Sequence, residues 1–349
     1  MPPMNTILLD RNENHYGPAP GCYEALRTAD LEQLSLYSRS YTRGTKGGLA
    51  ERLGRIAGIP EERLLLSYGS EDMLKQVVHC YLSPGAVLLL PAQSWWYYRR
   101  LAGESGGRDI AYPLPVQGDT FVYDADEIVS LYRKHHPQVI LIASPNNPTG
   151  NSIGQPGLEH LLNECGDAVV VLDGAYGGFS DRPESDDAGL LRAHGRLVIL
   201  RTFSKYYALA GLRIGYALVG EKMDQLIRYS ARYLGYNQLS ERIALAALDA
   251  TEYYQDVARR IREDLAAYRS LFASMPGYTA YRSDANFLLV RYPAKARESL
   301  AKGLAERGIA MKFLDDPGLS DCMRITMGTH EQNSEVISAI RALRSGGQV

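Results

Sequence analysis

The segment LVILRTFSKYYALAGLRIG, from Leu197 to Gly215, joins an unbroken apolar run to a cluster of hydroxyl and cationic side chains. A run that is apolar at successive positions, not at alternate ones, is what a strand needs when helices cover both faces of a parallel sheet. Three similar runs precede it: AVLLL from Ala86, QVILIAS from Gln138 and AVVVLD from Ala168. Helix-like segments separate them, GLEHLLNEC from Gly157 to Cys165 being one. The alternation predicts an α/β domain with a mostly parallel central sheet. It also directs the search for a ligand site to the polar residues just past the strand ends.

Lys205 stands at such an end. Thr202 and Ser204 precede it and Arg213 follows eight residues later. That set suits a ligand carrying both an aldehyde and a phosphate: the amine forms an imine, while hydroxyls and guanidinium hold the dianion through charge-assisted hydrogen bonds. An exposed loop lysine is the plainer alternative. Asp173 closes the AVVVLD strand, and a buried carboxylate is costly without a cation. A protonated ring nitrogen would be such a partner and would make the ring an electron sink; capping a following helix is the ordinary alternative. Tyr176 is then placed to reach a phenolic oxygen on the same ring. In SPNNPTG, Ser144 to Gly150, a rigid turn aims Asn147 outward as a donor, although such turns also occur without ligands.

Two further segments join the set. LLLSYGSEDML from Leu64 reads as strand, glycine turn and helix, so that Gly69, Ser70 and Glu71 would offer free amides to a phosphate. PAQSWWYY from Pro91 puts aromatics past the AVLLL strand; Trp95 is the candidate to stack on a ring, against the alternative that the cluster is core or interface material. Near the C-terminus, Arg324 in CMRITMGT has the planar fork that grips a carboxylate, or else serves a structural salt bridge.

Composition narrows the partners. Lys plus Arg total 38 against 40 Asp plus Glu, a net charge of −2, which provides no field for nucleic acid or an anionic membrane. A nicotinamide enzyme is disfavoured because no Gly-x-Gly-x-x-Gly follows the first strand. A catalytically silent regulator on a similar scaffold would need a basic DNA-binding segment, and none is evident. The four cysteines, Cys22, Cys80, Cys165 and Cys322, have no paired spacing, so no disulfide framework and no metal site is expected. With no export signal or spanning run, the chain reads as soluble and cytoplasmic. Beyond the α/β part, a long helix is expected from about Ser240 to Ser274. Its apolar face is Tyr254, Val257, Ile261, Leu265, Tyr268 and Phe272. Strands at Ala285 to Arg291 and Cys322 to Met327 follow, then a final helix begun by a Thr329/Gln332 capping box.

In order and approximate spacing, Asn147, Asp173, Tyr176, Lys205, Arg213 and Arg324 resemble the site residues of fold-type I aminotransferases. The chain is most similar to the histidinol-phosphate aminotransferase family: Asn12-Glu13-Asn14 with Tyr16-Gly17-Pro18, SPNNPTG, ALAGLRIG, ANFLLV and MRITMGTHEQN all match, from about residue 8 to residue 340. The resemblance implies pyridoxal 5'-phosphate on Lys205 and transfer of an amino group between an amino acid, or an amino phosphate, and a 2-oxo acid. It implies a large cofactor domain, residues 41–255, and a smaller α+β domain from residues 1–40 and 256–349. It further implies a homodimer with shared active sites, in which a partner tyrosine, Tyr41 or Tyr37, reaches the cofactor phosphate. Tyr16, Asn147, Lys312 and Arg324 are the expected substrate contacts; a phosphate-ester substrate would turn its phosphate to Arg324. Decarboxylation, cyclisation, elimination or oxidation of a specialised amino acid is the alternative chemistry on the same frame.

Departures from the family pattern bear on the substrate. His15 stands where the family usually has proline, Met311-Lys312-Phe313 where it tends to carry an arginine for the substrate phosphate, and Gly69-Ser70-Glu71-Asp72 is a shuffled turn. Trp95-Trp96 makes a bulkier cofactor wall. These differences leave both histidinol phosphate and a specialised amino acid open as the substrate.

Overall fold

The computed structural model describes residues 6–38, 46–181 and 186–345. In chain order the strands are β1 (Ile7–Leu9), β2 (Leu64–Ser67), β3 (Val87–Pro91), β4 (Arg108–Tyr112), β5 (Val116–Gln117), β6 (Thr120–Phe121), β7 (Val139–Ala143), β8 (Val169–Asp173), β9 (Leu197–Thr202), β10 (Gly215–Val219), β11 (Thr279–Ala280), β12 (Phe287–Arg291), β13 (Ile309–Phe313) and β14 (Cys322–Thr326). Seven of them form one sheet in the order β2-β10-β9-β8-β7-β3-β4. Strand β10 is antiparallel to both neighbours, and the pairs from β9 through β4 are parallel. The four apolar runs are thus strands β3, β7, β8 and β9. The first three are buried at every position, as sandwiching between two helical layers requires.

A five-stranded sheet, β1-β13-β14-β12-β11, forms the second layer system. Strand β1 comes from the N-terminal arm and runs parallel to β13, with Leu9 opposite Met311, so both ends of the chain build this sheet. Its core includes Ile261, Tyr268, Leu288, Ile325 and Ile340. Two separate cores cover the faces of the large sheet.

The expected single helix from Ser240 to Ser274 is instead two, Gln238–Leu248 and Thr251–Ala273. They part at Asp249-Ala250, where both amides bond within the last turn of the first helix. The apolar spacing runs on past this joint, so periodicity alone does not reveal it. All six residues of the expected face are buried. Tyr254 belongs to a core of the large sheet and Ile261 onward to the core of the small one, so this helix ties the two together. The final helix, His330–Ser345, begins with the expected reciprocal cap: the Thr329 amide donates to Gln332 Oε1 at 2.9 Å, and the Gln332 amide donates to Thr329 Oγ1 at 3.4 Å.

Candidate active site

A cavity of about 460 Å³ opens at the carboxyl ends of the parallel strands and is closed on its other side by the small sheet. Ser94 and Trp95 reach it from beyond β3, Asn147 from beyond β7, Asp173 and Tyr176 from β8, and Thr202, Ser204 and Lys205 from β9. Ser70 and Arg213 border it on the β2 and β10 side. From the small sheet come Lys312 on β13 and Arg324 on β14, with Asp10 to Glu13 from the arm. Residues scattered over more than 300 positions converge because parallel strands place all their carboxyl ends on one edge.

One end of the cavity is built for an anion. The helix Ser70–Tyr81 points its N-terminus there. Gly69 holds φ +86°, and a Cβ on it would lie 2.6 Å from Arg213 Nη2. A Cβ on Gly215 would meet the Gly69 carbonyl carbon and the Ser70 nitrogen at 2.4 Å. Both glycines are therefore required by close approach of the backbone. Thr202 Oγ1 donates to Ser204 Oγ at 3.0 Å, and Arg213 Nη1 donates to the same Ser204 oxygen at 3.4 Å, which gathers two hydroxyls and a guanidinium beside the helix end. Glu71 lines the cavity, but its carboxylate pairs with Lys75 at 2.9 Å and stands 3.9 Å from Arg213. Its side chain is thus a countercharge to the arginine and no anion ligand; only its position in the first helical turn serves the expected role.

Asp173, 6% exposed, is the buried acid. Tyr98 donates to its Oδ2 at 2.8 Å and the Ala175 amide to its Oδ1 at 3.0 Å. Burial raises its carboxyl above the ordinary range, and these two bonds oppose the rise. Among the described residues it has no ion-pair partner within 4.0 Å. A cationic ring nitrogen would supply one. The same two hydrogen bonds realise the local-turn alternative in part, since Ala175 is capped as well as Asp173 held.

Lys205 donates from Nζ to the Arg11 carbonyl at 3.1 Å and lies 5.6 Å from the centre of the Tyr176 ring. The Tyr176 hydroxyl accepts from Asn12 Nδ2 at 2.9 Å. Asn12, at φ +56°, also donates its amide to Thr326 Oγ1 at 2.9 Å, so the arm bridges both sheets at the lysine. The two asparagines of SPNNPTG divide their work. Asn146 is fully buried and staples the turn, donating to Gln93 O at 2.7 Å and Thr149 Oγ1 at 2.6 Å. Asn147 faces the cavity, and its Oδ1 accepts from Arg324 Nη1 at 2.6 Å. Arg324 also donates from Nη2 to the Asp10 carbonyl at 2.5 Å, while its Nε has no hydrogen-bond partner. No carboxylate within 4.0 Å pairs with it among the described residues, so the structural salt bridge is not what it makes. Burial lowers its pKa, which leaves a desolvated fork short of an anion.

Trp95 is half-buried on the cavity wall, edge-on to Tyr98 with centroids 5.5 Å apart. Tyr16 does not line the cavity. Its hydroxyl accepts from the His330 amide at 3.1 Å and its ring packs on the small-sheet core, because the arm turns away after Asn14. Tyr41 lies outside the described residues, and Tyr37 is 70% exposed. Tyr98, Asn12 and Asp316 are cavity residues to which sequence reasoning assigned no role. Tyr98 carried a signal, its place three residues after Trp95 on the first turn of a helix; Asn12 and Asp316 carried none without the fold.

An α/β sheet with a lysine, a buried acid and an anion cradle at its carboxyl edge, faced by an arginine from a second sheet, defines a fold-type I transferase of the kind that works through a carbonyl cofactor. The family model described as aminotransferase class I and II matches residues 5–340, and the chain belongs to that family. It is a pyridoxal-phosphate-dependent aminotransferase, that compound being the cofactor of the family. A histidinol-phosphate aminotransferase of Ruminiclostridium cellulolyticum is 33% identical over 340 residues, 97% of this chain and 92% of that protein. Among solved structures, histidinol-phosphate aminotransferase from Sinorhizobium meliloti in complex with pyridoxal-5'-phosphate matches with a TM-score of 0.84 at 23% identity, covering 97% of this chain and 91% of that one. The corresponding enzyme from Clostridium acetobutylicum matches with a TM-score of 0.86 at 19% identity, covering 97% and 99%. These likenesses speak for the fold.

Proposed function

We propose that this cavity binds pyridoxal 5'-phosphate through Lys205 and transfers the amino group of an amino acid to a 2-oxo acid. The reading is carried by one observation: Lys205, Asp173 and the Ser70/Thr202/Ser204/Arg213 cradle meet in a single cavity. When bound, the cofactor supplies an aldehyde for imine exchange and a ring that accepts the electron pair left at Cα. In this reading Asp173 would hold a proton on the cofactor's ring nitrogen, and Trp95, Asn147 and Tyr176 would be its further contacts. Arg324 holds the substrate α-carboxylate, and Asn147, bonded to one arm of the fork, fixes its plane. Lys205 Nζ, beside the Arg11 carbonyl, would be the general base for the substrate α-proton once an incoming amine has displaced it from the cofactor.

We place the domain division at residues 41–255 and at 1–40 with 256–349. Ala19 and Cys22 of the arm nevertheless pack in a large-sheet core, so the arm serves both parts. A homodimer that completes the site belongs to the same proposal. Arg213 is 48% exposed on its side chain, and next to it Tyr68, Tyr233, Leu234, Leu36 and Tyr37 leave large apolar surfaces open to solvent. Tyr68 stacks on Tyr236 at 5.1 Å, and Gly235 abuts Ser38, which makes this one neighbourhood at the cradle. The cytoplasm is the proposed compartment, in keeping with four unpaired cysteines. Substitution of Lys205 by Ala is expected to abolish turnover and the visible absorbance of lysine-bound cofactor; retention of both overturns the proposal.

A further inference from the structure

Arg201 is the next-to-last residue of β9, beside Thr202, yet it does not line the cavity. Side chains alternate between the two faces along a strand. Leu197 and Ile199 pack in one core of the large sheet, and Val198 and Leu200 in the other. Arg201 therefore projects with Leu197 and Ile199, whereas Asp173 meets Tyr98 on the opposite face. Arg201 Nη2 donates to Asp187 Oδ2 at 2.7 Å, at the start of the helix Asp187–Ala193. Its Nη1 presses on Gly174: a Cβ there would stand 1.7 Å from Nη1 and 2.9 Å from Cζ. Any residue but glycine at that position would expel the guanidinium.

Gly174 belongs to a turn that presents two groups to the cavity, Asp173 before it and Tyr176 after it. The Gly174 amide donates to the Leu200 carbonyl at 3.0 Å, and its own carbonyl accepts from the Gly177 amide at 3.0 Å. The Ala175 amide completes the turn through its bond to Asp173 Oδ1. The ion pair of Arg201 with Asp187 thus backs this turn from outside the cavity. Their side chains are 24% and 16% exposed, so water screens the pair less than it screens a surface pair.

We propose that Arg201, anchored by Asp187 and seated on Gly174, is a positioning residue that holds the turn from Asp173 to Tyr176 in place for the cofactor. The inference rests on the aminotransferase reading above and deepens it with a residue that acts from outside the cavity. Its charge works in the same sense. Burial raises the Asp173 carboxyl, while the bonds from Tyr98 and Ala175 and the field of Arg201 oppose the rise. The other titratable groups around Asp173 are Tyr98 and Tyr123, kept as neutral phenols by burial, with Tyr176 and Lys205 in the same cavity. The carboxylate is the form that pairs with a protonated ring nitrogen, so removing Arg201 lets Asp173 take up a proton at higher pH.

The test measures cofactor binding as well as turnover. Apoenzyme is titrated with pyridoxal 5'-phosphate at about pH 8 and about pH 6, read by fluorescence quenching, and the holoenzyme is assayed with L-glutamate and with L-histidine. Arg201→Gln is expected to weaken cofactor binding about threefold to tenfold at the higher pH and further at the lower, as loss of a partly shielded charge contact predicts. With either amino acid kcat is expected to fall by a similar factor and its acid limb to move to higher pH. KM is expected to stay within about twofold, because Arg201 lies outside the cavity. Arg201→Lys, which keeps the charge, is expected to restore the acid limb. Asp187→Asn, which keeps Arg201 and loosens it, is expected to weaken binding about twofold without raising the acid limb. Arg201→Gln with wild-type affinity at both pH values and an unmoved acid limb overturns the proposal, even if its melting temperature falls. Should that variant not fold, Asp187→Asn with wild-type affinity and kcat overturns it. If the unaltered holoenzyme holds cofactor on Lys205 yet reacts with no amino acid, the aminotransferase reading falls, while the binding titration still decides the part played by Arg201.

Discussion

Tyr98 donates its phenolic proton to Oδ2 of Asp173 across 2.8 Å, inside a layer where both side chains are buried. The bond stabilises the carboxylate form, the form that keeps a ring nitrogen protonated. Burial pulls the other way and raises the carboxyl. Removing the donor in Tyr98→Phe therefore lets Asp173 take up a proton at higher pH. The acid limb of the pH–rate profile is expected to move to higher pH, and kcat to fall roughly fivefold to tenfold for a lost bond of about 1 kcal/mol. Cofactor content, measured by absorbance, is expected to stay intact. An unmoved acid limb counts against the coupling.

Arg324→Lys keeps the charge and loses the fork. Asn147 loses its donor at 2.6 Å and a bound carboxylate loses its second contact. For about 1.5–3 kcal/mol of charge-assisted bonding, KM for the amino substrate is expected to rise between tenfold and a hundredfold. The visible spectrum should not change. A variant with unchanged KM but a lower melting temperature would assign Arg324 to stability alone.

The cradle makes a separate prediction. Alanine at position 215 would push a methyl group to 2.4 Å from the Gly69 and Ser70 backbone, a clash that no rotamer relieves. Displacing the helix N-terminus costs about 1–3 kcal/mol of stability. Cofactor affinity should weaken along with it. Titration of apoenzyme with pyridoxal 5'-phosphate, read by fluorescence quenching, measures the effect; wild-type affinity in Gly215→Ala would show that the close approach does not shape the anion site.

Away from the cavity, Glu241 is buried and its Oε1 has no partner. Burial lifts its carboxyl to about 7. A carboxyl whose folded pKa lies above its unfolded one favours the native state at low pH, and this contribution is lost as pH rises from the unfolded value through about 7. Glu241→Gln is expected to stabilise the protein by about 2–3 kcal/mol at pH 8 and by much less at pH 5. Thermal melts at the two pH values decide it, and an equal gain at both would rule out the ionisation as its source.

The large sheet was legible in the sequence because strands β3 and β7, β8 up to Leu172 and β9 up to Leu200 are buried on both faces and so must be apolar. The residues at or just past their ends, Asp173, Asn147 and Lys205, were legible for the same reason: a polar group at the close of such a strand faces either solvent or a ligand. Tyr16 was misplaced because a motif carries no direction, and the arm turns its ring toward His330. The joint at Asp249-Ala250 escaped notice because a bend between helices leaves the apolar spacing unbroken.

The amino-acid sequence by itself determined the layered α/β class, the lysine, the acid that accompanies it and the glycine turn at Gly69, since each depends on neighbours within a few residues or on a local strand pattern. Tertiary structure alone decided that Tyr98 holds Asp173, that Asn12 reaches Tyr176, and that Asp316 shares a cavity with Arg324. Those contacts join residues 75 and 164 positions apart in the first two cases, and no local energy term encodes which distant side chains will meet. The order β8-β7-β3 in the large sheet brings Tyr98 to Asp173, and the register of β1 on β13 with the packing of one sheet against the other brings the remaining pairs together.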